Sequence, residues 1–257
     1  MRHVAFNLSF YLFTLVMASV SVPVSLVAGD GTVRAMFSGW AKGTVWLVRN
    51  VLGARVEVRG REHVAERPAL LVSKHQSELD VALMAALFPD YGAIAMRELD
   101  DYPLVGGIVR KLGHIKVTVE GERRNQLPEV LDGARRVHAE GRPILIYPEG
   151  TLMHPGKKSR YRGGVWHIYS ELNVPATPVA LSLGLAWPRR EWRKFSTPVA
   201  MEFLDPIPPG LPKQEFMALL EARIEGASNA LVREQAPPDR LKDVVFDYEE
   251  QGGGWKG

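Results

Sequence analysis

"LVSKHQSELDVALMAALF", residues 71–88, carries the reading of the fold. An apolar run ends at Ser73, passes through Lys74, His75, Gln76, Ser77 and Glu78, and resumes with apolar residues at helical spacing. That is a buried strand, a polar turn and a helix. Such a turn needs only a few polar residues, and this one also places His75, Ser77, Glu78 and Asp80 together. Ser77 followed three residues later by Asp80 is an acidic form of a capping box, which can start the helix without further purpose. The alternative is chemical. Positions five apart on a regular helix diverge by about 140°, so His75 and Asp80 meet only if one lies in the turn and the other in the first helical turn. The aspartate would then hold one ring nitrogen, fix the tautomer and leave the other nitrogen as a base.

The same alternation extends outward. Strands are expected at 54–59, 69–73, 92–96, 114–119, 143–147, 177–183 and 198–204, and helices at 77–88, 103–112, 125–140, 163–172 and 213–235. Alternating strands and helices predict an α/β fold, a sheet covered on both faces. In such sheets the chemistry sits at the carboxyl ends of strands. A second polar island follows a buried strand in "PILIYPEGTLMHPGKKSRYRGG" (143–164), where Pro148 stops the strand. Read alone, it is an ordinary loop with a basic run.

Residues 4–28 hold no charged side chain. As a helix these 25 residues would span roughly 37 Å, enough for a bilayer core of about 30 Å. Pro23 is expected to break or kink it near Val22. Residues 33–52 set Trp40 and Trp46 among Arg34, Lys42 and Arg49, the composition of a helix at a membrane interface. We therefore expect a membrane anchor over 1–53, a catalytic domain over 54–248 and a frayed tail over 249–257. The chain has no cysteine, which removes disulfides and thiolate chemistry. Net charge is +3 with a pI near 9.1, pointing to an anionic partner, and no nucleic-acid motif is present.

Taken together, "HQSELD" (75–80), "YPEGT" (147–151) and "VPATPVAL" (174–181) resemble the glycerolipid acyltransferase family over residues 55–210. The resemblance implies a mixed sheet flanked by helices and transfer of an acyl group from acyl-CoA or acyl carrier protein to a lysophospholipid. The acceptor would be 1-acyl-glycerol-3-phosphate and the product phosphatidic acid. It implies that His75 deprotonates the acceptor hydroxyl, that Asp80 orients His75, and that Glu149, Gly150 and Thr151 bind the acceptor. No metal and no resident cofactor are expected, and the place would be the cytoplasmic face of the inner membrane.

Two family arginines are replaced here, by Val119 and Leu152. A phosphate dianion needs forked or clustered cations. Lys116 is the first candidate to substitute, with Arg123, Arg124, Lys157, Lys158, Arg160 and Arg162 close in sequence. Otherwise the acceptor carries another headgroup, such as a lyso-ornithine lipid, or the chain is a membrane interaction protein without turnover. The remaining histidines read as structural, with His114 and His154 nearest the two islands.

Overall fold

The computed structural model describes residues 1–64, 68–102, 106–118 and 126–250, the side chains of 249 and 250 excepted. Seven strands form one sheet: β1 (Val56–Arg59), β2 (Leu70–Ser73), β3 (Gly92–Met96), β4 (Ile115–Val117), β5 (Ile144–Ile146), β6 (Ala176–Leu181) and β7 (Val199–Phe203). Their order is β1-β7-β6-β2-β5-β3-β4. Every pair is parallel except β6–β7, so the sheet is mixed. Strand β2 lies in the middle, between β6 and β5, and its four residues are all buried.

Strand alternation sorts the core into two layers. Leu70 and Val72 of β2, with Ile144 and Ile146 of β5, face one side. There they meet α5 (Leu127–Ala139), α6 (Gly164–Leu172) and α7 (Lys213–Gln235), through residues such as Val137, Ile168, Tyr169, Phe216 and Leu220. Leu71 and Leu145 face the opposite layer, built from α2 (Asp30–Leu47) and α3 (Glu78–Leu87). A short helix α4 (Gly106–Leu112) precedes β4, and α8 (Pro238–Leu241) and α9 (Asp247–Glu250) follow α7. The helix expected from 103 and the strand expected to reach 119 extend beyond the described residues.

The N-terminal helices differ from the expectation in two ways. Helix α1 runs unbroken from Arg2 to Val27, with Pro23 inside it. Pro23 is exposed, so its ring points away from the packed side and the lost hydrogen bond falls at the outer surface. Nor is residue 53 a packing boundary. Ala41, Val45, Leu47, Val48 and Leu52 are buried in the same core cluster as Leu71 and Leu83. Helix α1 itself is docked at both ends. Asn7 Nδ2 donates to Trp192 O at 2.9 Å near its start, and Lys111 Nζ donates to Ala28 O just past its end. Between them Trp40 Nε1 donates to Thr14 Oγ1, and Phe13 lies on Gly43 of α2. A Cβ at Gly43 would fall 2.3 Å from that ring, so a larger residue would displace Phe13 from its present seat. The outer face of α1 exposes Leu8, Leu12, Leu15, Val16, Val20 and Leu26. By length and composition α1 can cross a membrane, yet here it lies along the domain.

His114 is half-buried and performs a structural task. Its Nδ1 accepts a hydrogen bond from Ala93 N at 3.2 Å, so a proton there would set donor against donor. Burial, then the cations of Lys116 and Arg142, hold its pKa down to about 3, with Asp100 opposing. An unfolded chain takes up this proton near pH 6.5 and the native chain does not. The resulting stability is therefore present above pH 6.5 and is lost as pH falls toward 3. His114→Asn keeps an acceptor and does not titrate. Between about pH 7 and 4 in detergent, the parent should lose a few kcal/mol of unfolding free energy that the variant keeps, at about 1.4 kcal/mol for each tenfold difference in proton affinity. Equal losses in both proteins would exclude His114 as the acid-sensitive group.

Candidate active site

Strands β2 and β5 are parallel neighbours, so both polar islands leave the sheet at the same edge. His75 stands two residues past β2, and Glu149 three past β5. Hydrogen bonds through the main chain then lock the islands together. Met153 N donates to His75 O at 2.7 Å, and His75 N donates to Glu149 Oε2 at 2.9 Å.

The two readings of Ser77 and Asp80 hold at once. Ser77 caps α3, its side chain accepting from Leu79 N at 3.1 Å, and the capping box with Asp80 is present. Asp80 Oδ2 accepts from Gln76 N at 2.6 Å and Ser77 N at 2.9 Å, and also faces His75 Nδ1 at 3.1 Å. One oxygen therefore starts the helix and holds the imidazole. Asp80 is fully buried, and that burial raises its pKa against the lowering effect of His75 and the backbone donors. With Nδ1 turned to Asp80, Nε2 is the nitrogen left without a partner among the described residues, and the His75 side chain is 18% exposed. A carboxylate behind an imidazole with one free, reachable nitrogen is the arrangement of a general base.

The 147–151 turn supports this pair. Tyr147 lies flat on His75, ring centroids 3.9 Å apart and planes 18° off parallel. Gly150 closes the turn in the left-handed region, at φ +66°, with its N–H donating to Tyr147 O. Thr151 is exposed beside it. Glu149 is different from what the resemblance implies. It is 3% exposed, and both of its oxygens are taken, Oε1 by Lys74 Nζ at 2.6 Å and Oε2 by His75 N. Its carboxylate is turned inward rather than presented to solvent. Burial, first of all, pushes its carboxyl up to about 7.

Lys116 is not brought to His75. It lies on the edge strand β4, three strands from β2, which is about 14 Å at the usual strand spacing. There its ammonium pairs with Asp100 at 2.7 Å. Among the described residues no three His, Asp or Glu side chains are grouped to hold a metal ion.

A family model described as Acyltransferase matches residues 55–182, a span that contains both islands. The chain carries a domain of the acyltransferase family. It is 28% identical to a 1-acyl-sn-glycerol-3-phosphate acyltransferase of Pseudomonas aeruginosa over 63% of each chain. A protein of the same name from Limnanthes alba is 26% identical, over 63% of this chain and 57% of the relative. The matched part is thus less than two thirds of either relative's length. The alpha form of that enzyme from Ovis aries is 25% identical over 97% of this chain and 86% of its own. Among solved structures, the crystal structure of the LPA acyltransferase PlsC from Thermotoga maritima superposes with a TM-score of 0.69. It covers 90% of this chain and 97% of that one at 21% identity, a likeness of fold.

This family member also uses residues to which the motifs assign no task. Tyr147 stands at the edge of the second motif, and Lys74 reads as one polar residue of a turn. Strand period two flags Lys74, because Leu70, Val72 and Lys74 continue one row toward α7.

Proposed function

We propose that the protein is a membrane-embedded O-acyltransferase acting on a lysophospholipid. His75 Nε2 takes the proton of the acceptor hydroxyl, the oxygen attacks the acyl thioester carbonyl, and the imidazolium returns the proton to the leaving thiolate. Asp80 holds the imidazole and balances its charge while it is protonated. The donor is acyl-CoA or acyl carrier protein, the acceptor 1-acyl-glycerol-3-phosphate, and the site faces the cytoplasm at the inner membrane. One observation carries this reading: a carboxylate-backed imidazole with a free nitrogen, locked to a Glu-Gly-Thr turn, in a domain flanked by an apolar helix. The names of the relatives point the same way.

The anionic headgroup needs a cation, and three of the candidates are already engaged. Lys116 pairs with Asp100, Lys157 with Asp247, and Lys158 with Glu221. Arg123 and Arg124, like Val119, lie outside the described residues. Arg162 is exposed, has no ion pair among the described residues, and sits against Gly150, where an added Cβ would fall 2.6 Å from its Cζ. Arg189 Nη1 also donates to Leu152 O at 2.7 Å. Two guanidinium groups thus lie against the segment whose own arginine is replaced by Leu152. We assign Arg162 to the acceptor phosphate.

The test is acyl transfer by the purified protein in detergent, with acyl-CoA and acyl carrier protein as donors. Acceptors are lysophosphatidic acid, a zwitterionic lyso-lipid and a lyso-ornithine lipid. Arg162→Ala should raise KM for lysophosphatidic acid about tenfold or more and leave the zwitterionic KM within about twofold, the loss of one charge-assisted contact. An equal response to both acceptors would remove the phosphate assignment and leave the other headgroups in play. No transfer with any pair would remove the enzymatic reading.

A further inference from the structure

Beneath the catalytic turn is a buried charged cluster that the proposed chemistry does not use. Lys74 is 1% exposed. Its Nζ donates to Glu149 Oε1 at 2.6 Å, to Glu225 at 2.7 and 2.9 Å, and to Lys157 O at 2.9 Å. Glu225 lies in the middle of α7, is itself buried, and also accepts from Tyr161 OH at 2.8 Å. Three stretches far apart in sequence therefore meet at one ammonium: the β2–α3 turn, the loop between β5 and α6 (through Glu149 and Lys157), and α7.

Resting on the acyltransferase reading, we propose that Lys74 is a positioning residue: anchored to Glu225 on α7, it holds Glu149, whose other oxygen holds the main chain of His75. The geometry makes this a chain of single contacts. Lys74 is adjacent to His75, yet the strand period sends its side chain to the α7 side. The two neighbours are thereby fixed from opposite faces of the sheet. Glu149 serves two partners, one oxygen on Lys74 and one on His75 N. Without Lys74 the carboxylate has no cation in contact among the described residues, and the bond from His75 N is left to orient it without that anchor.

Stability alone is a poor account of this arrangement. One lysine faces two buried carboxylates, so the cluster is not neutral by pairing, and burial raises Glu149 to about 7. Taking three charges out of water is costly, and apolar residues of the same volume often serve stability as well or better. Here the cluster ends on the main chain of the general base. An error of about 1 Å at a reacting group is enough to slow a reaction by about a hundredfold.

The experiment compares the full-length parent, Lys74→Met and Glu225→Gln in detergent, each checked for folding by thermal unfolding. Lys74→Met should lose at least about tenfold in kcat with KM for the lyso-lipid within about threefold, because the base is misplaced and the acceptor site is not. Glu225→Gln keeps an acceptor for Lys74 and should retain more of the parental kcat than Lys74→Met does. If Lys74→Met does not fold, the Lys74→Met/Glu225→Met protein, which removes the lysine together with one of its two buried carboxylates, takes its place with the same expectation. A folded variant with parental kcat would overturn the proposal. So would failure of both variants to fold, which would make the cluster a structural tie. A readout without turnover separates this idea from the acyltransferase reading. Diethyl pyrocarbonate should modify His75 at a rate altered at least about threefold in the variant, with exposed His154 unchanged, as followed by peptide mapping. If the parent transfers no acyl group, a changed His75 rate in the variant would keep the positioning role and remove the enzymatic reading. An unchanged rate with lowered kcat would remove the positioning role alone.

Discussion

Acyl transfer by His75→Ala is expected to fall by about a hundredfold or more in kcat, with the melting temperature nearly unmoved. The asymmetry follows from where the side chain lies. His75 is partly exposed, and its ring has one polar contact, from Nδ1 to Asp80 at 3.1 Å, and one flat contact with Tyr147. The hydrogen bonds that join the two islands run through His75 N and O, and alanine keeps both. The fold therefore loses little while the nitrogen placed to accept the hydroxyl proton is gone. Measurement of kcat alongside thermal unfolding checks this directly. A tenth of parental activity in the folded variant would mean that another group removes the proton.

Asp80→Asn should separate orientation from helix capping, with kcat down by about tenfold or more and stability held or slightly improved. Asparagine can present its amide oxygen where Oδ2 now stands, keeping the bonds from Gln76 N and Ser77 N. It cannot supply a charge to the imidazolium formed during transfer. Its neutrality favours the fold, because Asp80 is fully buried and burial already raises its pKa. The capping role alone predicts that both stability and activity are kept, since asparagine preserves the cap. Paired kcat and unfolding data on this variant decide between them.

How much of the site is legible in the sequence depends on the range of each interaction. The β2 turn, the capping box and the His75–Asp80 pair are all local, and strand and helix periodicity places them correctly. Glu149 is marked by its motif, but its direction is not. A carboxylate in a Gly-turn reads as outward-facing, and only the buried partners Lys74 and His75 N turn it inward. Glu225 gives no local signal at all. It is one glutamate among the polar residues of a long helix, and its partner is 151 positions away. Lys116 fails for the opposite reason: it is near the replaced arginine in sequence, but sheet order puts β4 at the far edge. Pro23 shows a third kind of limit, a helix-breaking tendency overridden by an exposed position in a packed helix.

Helix α1, docked at both ends and apolar along its outer row, has a kinetic meaning under the proposed function. A protein held flat against the lipid meets its acceptor by lateral diffusion within one leaflet, and the lyso-lipid never passes through water to reach His75. The effective concentration is then the mole fraction of acceptor in the surface. Adding inert lipid slows such a reaction even when the acceptor per unit volume is constant, and a KM expressed in moles per litre has no fixed value.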